Sequence, residues 1–434
     1  MRPKLGGYHH HGRHKMKSHI KGLVLASLTS SAALLGSTAS AVEIEYWQYF
    51  FDARVEAMEI LIENFEAANP DITVTMTHFP YADYRTKVAA AIPAGEGPDV
   101  VQLFYGWMND YVAADLIQPL PADPFDPAMI DSEFFPMVQA MKIDGEYWAL
   151  PTAVRSLALF YNTRLFEAAG IDGPPATLDE LVATAAALTE RDGAGNITTV
   201  GLTAGMTAQD HHWWREVLVR QNGGTPYVDD YRTVNYNDAA GLAALNFYTN
   251  LFMAEDAVTS IGFMDEPQAA FKAGRAGMHI DGSFRLGSLA DIRGLEWGVA
   301  ELPAGMDGIR SNYSSYWVNA ITTKAEGERY DAAVLFMEYL VSDEAMQVWL
   351  DTVGELPAKP SVGMTEENAN DPMFGPFIRG LAYAQTTKFV DESAQRQVLV
   401  EMVERVQLEG MDPAESLAIA AAAEQVILDE FYVE

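Results

Sequence analysis

The sequence predicts an α/β fold, and three observations carry the prediction. Between Val42 and Phe104 the apolar pattern alternates between strand and helical spacing, in the order strand, helix, strand, helix, strand. A second block of the same kind begins after Leu150-Pro151. The chain has 434 residues, 49% of them hydrophobic, which is enough for two packed domains or one large α/β unit and excludes disorder as the main state.

Val42 to Phe50 reads as a strand with Trp47 and Tyr49 near its C-terminal end. From Ala53 onward, Val55, Met58, Ile62 and Phe65 recur at helical spacing, and Asn69-Pro70-Asp71 ends that helix. Ile72 to Met76 alternates as a second strand, and Tyr84 to Ile92 is again helical. The turn Gly95-Glu96-Gly97-Pro98 leads into a third strand, Asp99 to Phe104. Strands that alternate with helices form a largely parallel open sheet, and ligands bind beyond the carboxyl ends of such strands. Those ends carry Trp47, Tyr49, Phe104, Tyr105 and Trp107. In the second block Ser156 to Tyr161 is a strand, Thr177 to Thr189 a helix, and a short strand surrounds Val200. A further strand, Ala276 to Ile280, leads into Asp281-Gly282-Ser283-Phe284. Asp412-Pro413-Ala414-Glu415 supplies an N-cap, a first-turn proline and a capping glutamate for a helix running to about Phe431.

Charge and cysteine content remove whole classes of function. Lys and Arg number 28 against 61 Asp and Glu, a net charge of −33, so nucleic acid and anionic membrane surfaces are repelled as partners. With 0 cysteines there are no disulfides, thiolate nucleophiles, zinc–cysteine sites or thioether lipid anchors. Residues 1–41 contain basic side chains and no acidic one. Within them Met16 starts a secretory signal: Lys17 and Lys21, an apolar run from Gly22 to Gly36 too short to span a bilayer, and the small-x-small triplet Ala39-Ser40-Ala41. Export with cleavage after Ala41 is expected, leaving residues 1–15 as an upstream extension and placing the mature chain in a Gram-negative periplasm. The triplet His9-His10-His11 belongs to this leader and is no metal site.

Catalytic signatures are missing from the sequence. It holds no G-x-S-x-G elbow, Walker loop, H-E-x-x-H or dinucleotide glycine fingerprint. Paired carboxylates for glycoside hydrolysis can be picked at will from 61 acidic residues, so they carry no specificity. Adjacent side chains such as His211-His212 rarely reach one ion together on a helix, and neither a metal nor a cofactor is expected. The enriched class is aromatic, with 8 Trp, 19 Tyr and 20 Phe. Flat rings stack on the C–H faces of sugars, each contact adding about 0.5–1.5 kcal/mol beyond area burial. Most rings serve core packing. Trp47, Tyr105, Trp107, Trp213, Trp214, Phe284, Tyr316 and Trp317 stand apart because they fall at predicted strand ends or in polar, glycine-containing loops, where a ring needs something to cover it.

Several short motifs, in order, resemble one family. They are the Trp47-containing first strand, Asn69-Pro70-Asp71-Ile72-Thr73-Val74, Gly95-Glu96-Gly97-Pro98-Asp99-Val100, and Ala149-Leu150-Pro151 with Phe160-Tyr161-Asn162. Gly274-Arg275-Ala276-Gly277-Met278, Gly282-Ser283-Phe284 and Ser342-Asp343-Glu344-Ala345 complete the set. From Val42 to the C-terminus the chain resembles the extracellular solute-binding proteins of ABC importers, in the group with maltose- and other sugar-binding proteins. The resemblance implies a two-lobed periplasmic-binding fold with a hinge, crossing near Ala153, Val318 and Leu356. Lobe one would be 42–152 plus 318–356, and lobe two 153–317 plus 357–434. It also implies a monomer that takes a carbohydrate-like solute to the transmembrane subunits of an ABC permease, and no reaction. Acidic surface patches would pair with the permease, a docking that salt should weaken.

Carried over position by position, the expected ligand contacts are Trp47, Tyr49, Tyr84, Phe104, Tyr105, Trp107, Arg155, Trp213, Trp214, Asp281, Phe284, Tyr316 and Trp317. Arg155 stands at the first crossover, where the maltose-binding relatives have a carboxylate. Its guanidinium suits either an anionic ligand group or an interlobe ion pair. The rival readings are therefore an anionic sugar derivative held by Arg155 with Arg215 or Arg285, and, from another class, a secreted glycoside-processing enzyme.

Overall fold

The computed structural model describes residues 41–264 and 266–432. The leader and signal reading falls, Ala41 apart, outside the described residues. Eleven strands of the described residues join in one sheet. They are β1 (Val42–Tyr49), β2 (Ile72–Phe79), β3 (Val100–Phe104), β4 (Leu150–Asn162), β5 (Glu190–Arg191), β6 (Ile197–Leu202), β7 (Ala276–Gly282), β8 (Trp297–Ala300), β9 (Asn312–Ile321), β10 (Leu356–Pro357) and β11 (Ala384–Gln385). The order is β2-β1-β3-β9-β4-β7-β6-β5, with β8 and β10 on β4 and β11 on β9.

The first three strands are parallel, as their alternation with helices dictates, and the helices Asp52–Ala68 and Tyr81–Ala91 connect them. The middle of the sheet is antiparallel and rests on two long strands. β4 runs 13 residues, roughly 40 Å at about 3.3 Å per residue, far longer than the stretch Ser156 to Tyr161 that patterning marks out. Its first half pairs with β9 and β10, Ala153 facing both Trp317 and Pro357. Its second half pairs with β7 and β8, Leu159 facing both Ile280 and Ala300. β9 likewise bonds β3 from Trp317 to Ile321 and β11 at Asn312 and Tyr313.

Helices cover the sheet. Phe65 of Asp52–Ala68 meets Phe336 of Glu328–Leu340, with ring centroids 5.0 Å apart, and Phe336 in turn meets Tyr46 of β1. In the second half Ala239–Met253, Glu392–Gln407 and Pro413–Tyr432 pack on one another. Pro413 and Glu415 stand in the first turn of the last helix, and the Asp412 carboxylate accepts from the amides of Ala414 and Glu415. Buried between these helices, Arg215 pairs with Glu424 at 3.1 Å, and Tyr227 and Tyr236 both donate to the same carboxylate. No described helix is long and apolar enough to cross a membrane.

Candidate functional site

A cavity of about 1090 Å³ opens at the C-terminal ends of β1 and β3, where β4 and β9 pass beneath. Its aromatic wall grows out of strand geometry. β1 ends at Tyr49 and β3 at Phe104, and both strands deliver a ring at the terminus; the partner of Phe104 across β9 is Trp317. Trp317 lies 4.1 Å from Tyr49 and 5.8 Å from Phe104, centroid to centroid. Tyr81 extends the row at 5.6 Å from Tyr49 and is 61% exposed, whereas Trp317 is only 6% exposed. Phe51 and Phe374 complete the apolar surface. Opposite stands Phe284, two residues beyond β7, its ring flush on Gly282; a Cβ at Gly282 would come within 2.2 Å of the ring. The guanidiniums of Arg155 and Arg285 lie 5.1 and 5.3 Å from its centroid.

The floor is charged. Arg54, in the first turn of its helix, and Arg155, in the middle of β4, both donate to the Oε1 of Glu355. Arg155 reaches it through Nε at 2.6 Å and Nη2 at 2.5 Å, and its Nη2 also donates to the Tyr49 hydroxyl at 3.3 Å. Trp349 Nε1 donates to Oε2 at 3.0 Å. Burial would raise the Glu355 carboxyl, but the charges of Arg155 and Arg54 and their hydrogen bonds outweigh it and hold the group at about 2. Arg285 is also paired, its Nε 2.7 Å from Asp281 Oδ2. The remaining acidic groups at the cavity are Asp291, Asp351, Glu367 and Asp371.

Of the residues expected from the sequence, Tyr49, Phe104, Arg155, Phe284 and Trp317 line this one cavity. Tyr84 and Trp107 stand behind it. Tyr84 is buried with its hydroxyl donating to the carbonyls of Trp47 and Gln102, and Trp107 meets Trp317 edge-on at 5.4 Å. The others lie elsewhere, each for a structural reason. Trp47 is two residues short of the end of β1, so it sits beneath Phe79 at 4.8 Å with its indole nitrogen on Glu45. Tyr316 neighbours Trp317, and strand alternation turns it to the opposite face, where its hydroxyl donates to Met137 O and its ring meets Tyr105. Tyr105 is bonded hydroxyl to hydroxyl with Tyr313 at 2.5 Å. Trp213 and Trp214 belong not to a polar loop but to a wide helical turn, Trp213–Leu218, buried against Tyr248 and Tyr236. Asp281 is buried on His279 and Arg285; burial raises its carboxyl, and the hydrogen bond and charge of His279 with the charge of Arg285 bring it below the ordinary carboxylate value. Arg215 is committed to Glu424.

Arg54, Tyr81 and Glu355 were not legible as site residues. Tyr81 follows Pro80, which starts its helix and leaves the ring in the open, a weak signal. For Arg54 and Glu355 the only clue is the isolated Arg155, which calls for a carboxylate partner.

Residues 61–376 match the model of the bacterial extracellular solute-binding protein family. The chain is a bacterial extracellular solute-binding protein. This solute-binding protein is 30% identical over 302 residues to a Brucella abortus (strain 2308) protein named only as a binding protein, covering 68% of this chain and 70% of that one. The maltotriose-binding protein of Pyrococcus abyssi is 25% identical over 351 residues (79% and 72% covered). The sn-glycerol-3-phosphate-binding periplasmic protein of Escherichia coli (strain K12) is 23% identical over 367 residues (79% and 80%). Among solved structures, the cyclic alpha-maltosyl-1,6-maltose binding protein of Arthrobacter globiformis superposes with a TM-score of 0.78 at 20% identity, covering 90% of this chain and 100% of that one. The fold of this solute-binding protein is thus the two-lobed periplasmic-binding architecture, and its long strands β4 and β9 join the two halves of the sheet.

Proposed function

We propose that this protein is the periplasmic substrate-binding component of an ABC importer that captures a carbohydrate or related polyhydroxy solute. The cavity of about 1090 Å³ walled by Tyr49, Tyr81, Phe104, Phe284 and Trp317 carries the reading. Rings of this kind grip the apolar faces of a sugar while polar groups between them capture hydroxyls. The relatives that bind maltotriose and glycerol phosphate support a polyhydroxy ligand. The lobes are 42–152 plus 318–356 and 153–317 plus 357–434, and the solute lies between them. Only closure lets both lobes touch it, so binding favours the closed form, which is presented to the permease. Capture involves no reaction, and the protein acts as a monomer after export with loss of the leader.

A thermal-shift screen of the mature protein over mono- and oligosaccharides, polyols and sugar phosphates tests this reading. At a hundredfold excess over Kd a true ligand adds about 2.7 kcal/mol of stability. No shift with any member, or sustained turnover of an oligosaccharide in place of stoichiometric saturation, would overturn it. The glycerol-phosphate relative favours a second reading, an anionic sugar derivative.

A further inference from the structure

We infer that Glu355 is a specificity-determining residue: it occupies the two guanidiniums that the cavity floor would otherwise offer to an anion, and so restricts this cleft to uncharged solutes. The inference rests on the carbohydrate reading above and adds to it the charge of the ligand.

Arg54 and Arg155 both line the cavity, and on their own they are the pair of forks that phosphate or carboxylate recognition uses. Both already donate to one oxygen, the Oε1 of Glu355. Glu355 lies just before β10, which pairs with the stretch of β4 next to Arg155, so backbone pairing delivers the carboxylate to the guanidinium. Trp349 Nε1 fixes its second oxygen, and the residue is only 4% exposed, so the carboxylate is held in place. The third cation of the cavity, Arg285, is paired one to one with buried Asp281, which His279 and the Gly282 amide orient, whereas Arg54 and Arg155 share the one charge of Glu355. Asp291, Asp351, Glu367 and Asp371 then leave carboxylates in excess of guanidiniums around the opening. An incoming anion meets a repulsive field and finds each cavity arginine already paired. A neutral polyol meets the cavity's rings, Tyr81 the most exposed of its wall, and its polar groups without that penalty.

The test uses the mature chain, calorimetric titration and three probes: maltotriose, glucose 6-phosphate and inorganic phosphate. Wild type is expected to bind neither anion measurably. Glu355→Gln leaves two unpaired guanidiniums at the floor and is expected to gain at least tenfold in affinity for glucose 6-phosphate or phosphate, a gain that falls as salt rises. Where circular dichroism shows that Glu355→Gln does not fold, the double variant Arg54→Gln/Glu355→Gln is read in the same way, because it frees Arg155 while removing one charge of each sign. A folded variant that stays blind to both anions overturns the inference. So does wild-type binding of glucose 6-phosphate or phosphate that Arg155→Gln abolishes. Failure of the carbohydrate reading itself is distinct: it appears as the absence of any wild-type response across the neutral sugar panel, whatever the variants do.

Discussion

Glu355 is the carboxylate at which both floor arginines of the cavity meet. Its folded value of about 2 lies below the ordinary glutamate value of 4.5, so on acidification the unfolded chain takes up this proton first. The stabilisation is complete above about pH 4.5 and is lost as the pH falls towards 2, on the order of 3 kcal/mol in all. Urea midpoints of wild type and Glu355→Gln should therefore differ most near neutral pH and converge between pH 4.5 and 2; a gap that is constant over that interval would contradict the ion-pair account. Tyr81 offers the complementary test. With 61% of the residue exposed, Tyr81→Ala should move Tm by little, yet it removes the outermost ring of the aromatic row and should weaken ligand binding about tenfold. Calorimetry on the ligand found by screening separates the two effects. The residue scale also shows why neighbours in sequence part company: Trp317 and Tyr316 differ by one step along β9 and end on opposite faces.

Among the elements, two close approaches admit only glycine, and one of them, at Gly282, belongs to the site. On β6, a Cβ at Gly201 would stand 1.8 Å from the Ala185 carbonyl oxygen of the helix Leu178–Leu188. That is backbone against backbone, and Gly201→Ala should cost about 3 kcal/mol or more, read as a lowered denaturation midpoint. At Gly282, the end of β7, the obstacle is the Phe284 ring. Gly282→Ala should displace that ring from Arg155 and Arg285, with a smaller loss of stability and a clear loss of ligand affinity. Equal losses at both positions in both assays would show that Phe284 has no special place in the site. The element pattern itself was largely legible. The first three strands, their helices and the capped last helix lie where apolar periodicity and Asp412-Pro413 put them, because those segments each bury one face. β4 was legible only in part: Pro151 and Arg155 interrupt its apolar run, and its full length exists because four other strands pair along it.

For the whole molecule, the proposed closure predicts a change of shape without a change of mass. Small-angle scattering should give a smaller radius of gyration with saturating ligand than without, at unchanged forward scattering. A value that ligand leaves untouched would remove closure from the mechanism, while a doubled forward scattering would replace the monomer by a dimer. The acidic balance of 61 carboxylates against 28 basic side chains acts at this scale too, as a long-range field that disfavours anionic partners before any contact is made.

By itself the sequence determined the α/β class, the order of the elements, the motifs of a solute-binding family and an aromatic-rich composition, because periodicity, capping and composition are local properties. Tertiary structure alone decided which rings share one cavity and which pack in the core. It also placed Arg54 and Glu355, some 300 residues apart in the chain, on one ion pair with Arg155. The reason is physical: a side chain's neighbours across a sheet are set by strand register, and register is fixed by the folding of the whole chain, not by any segment read alone.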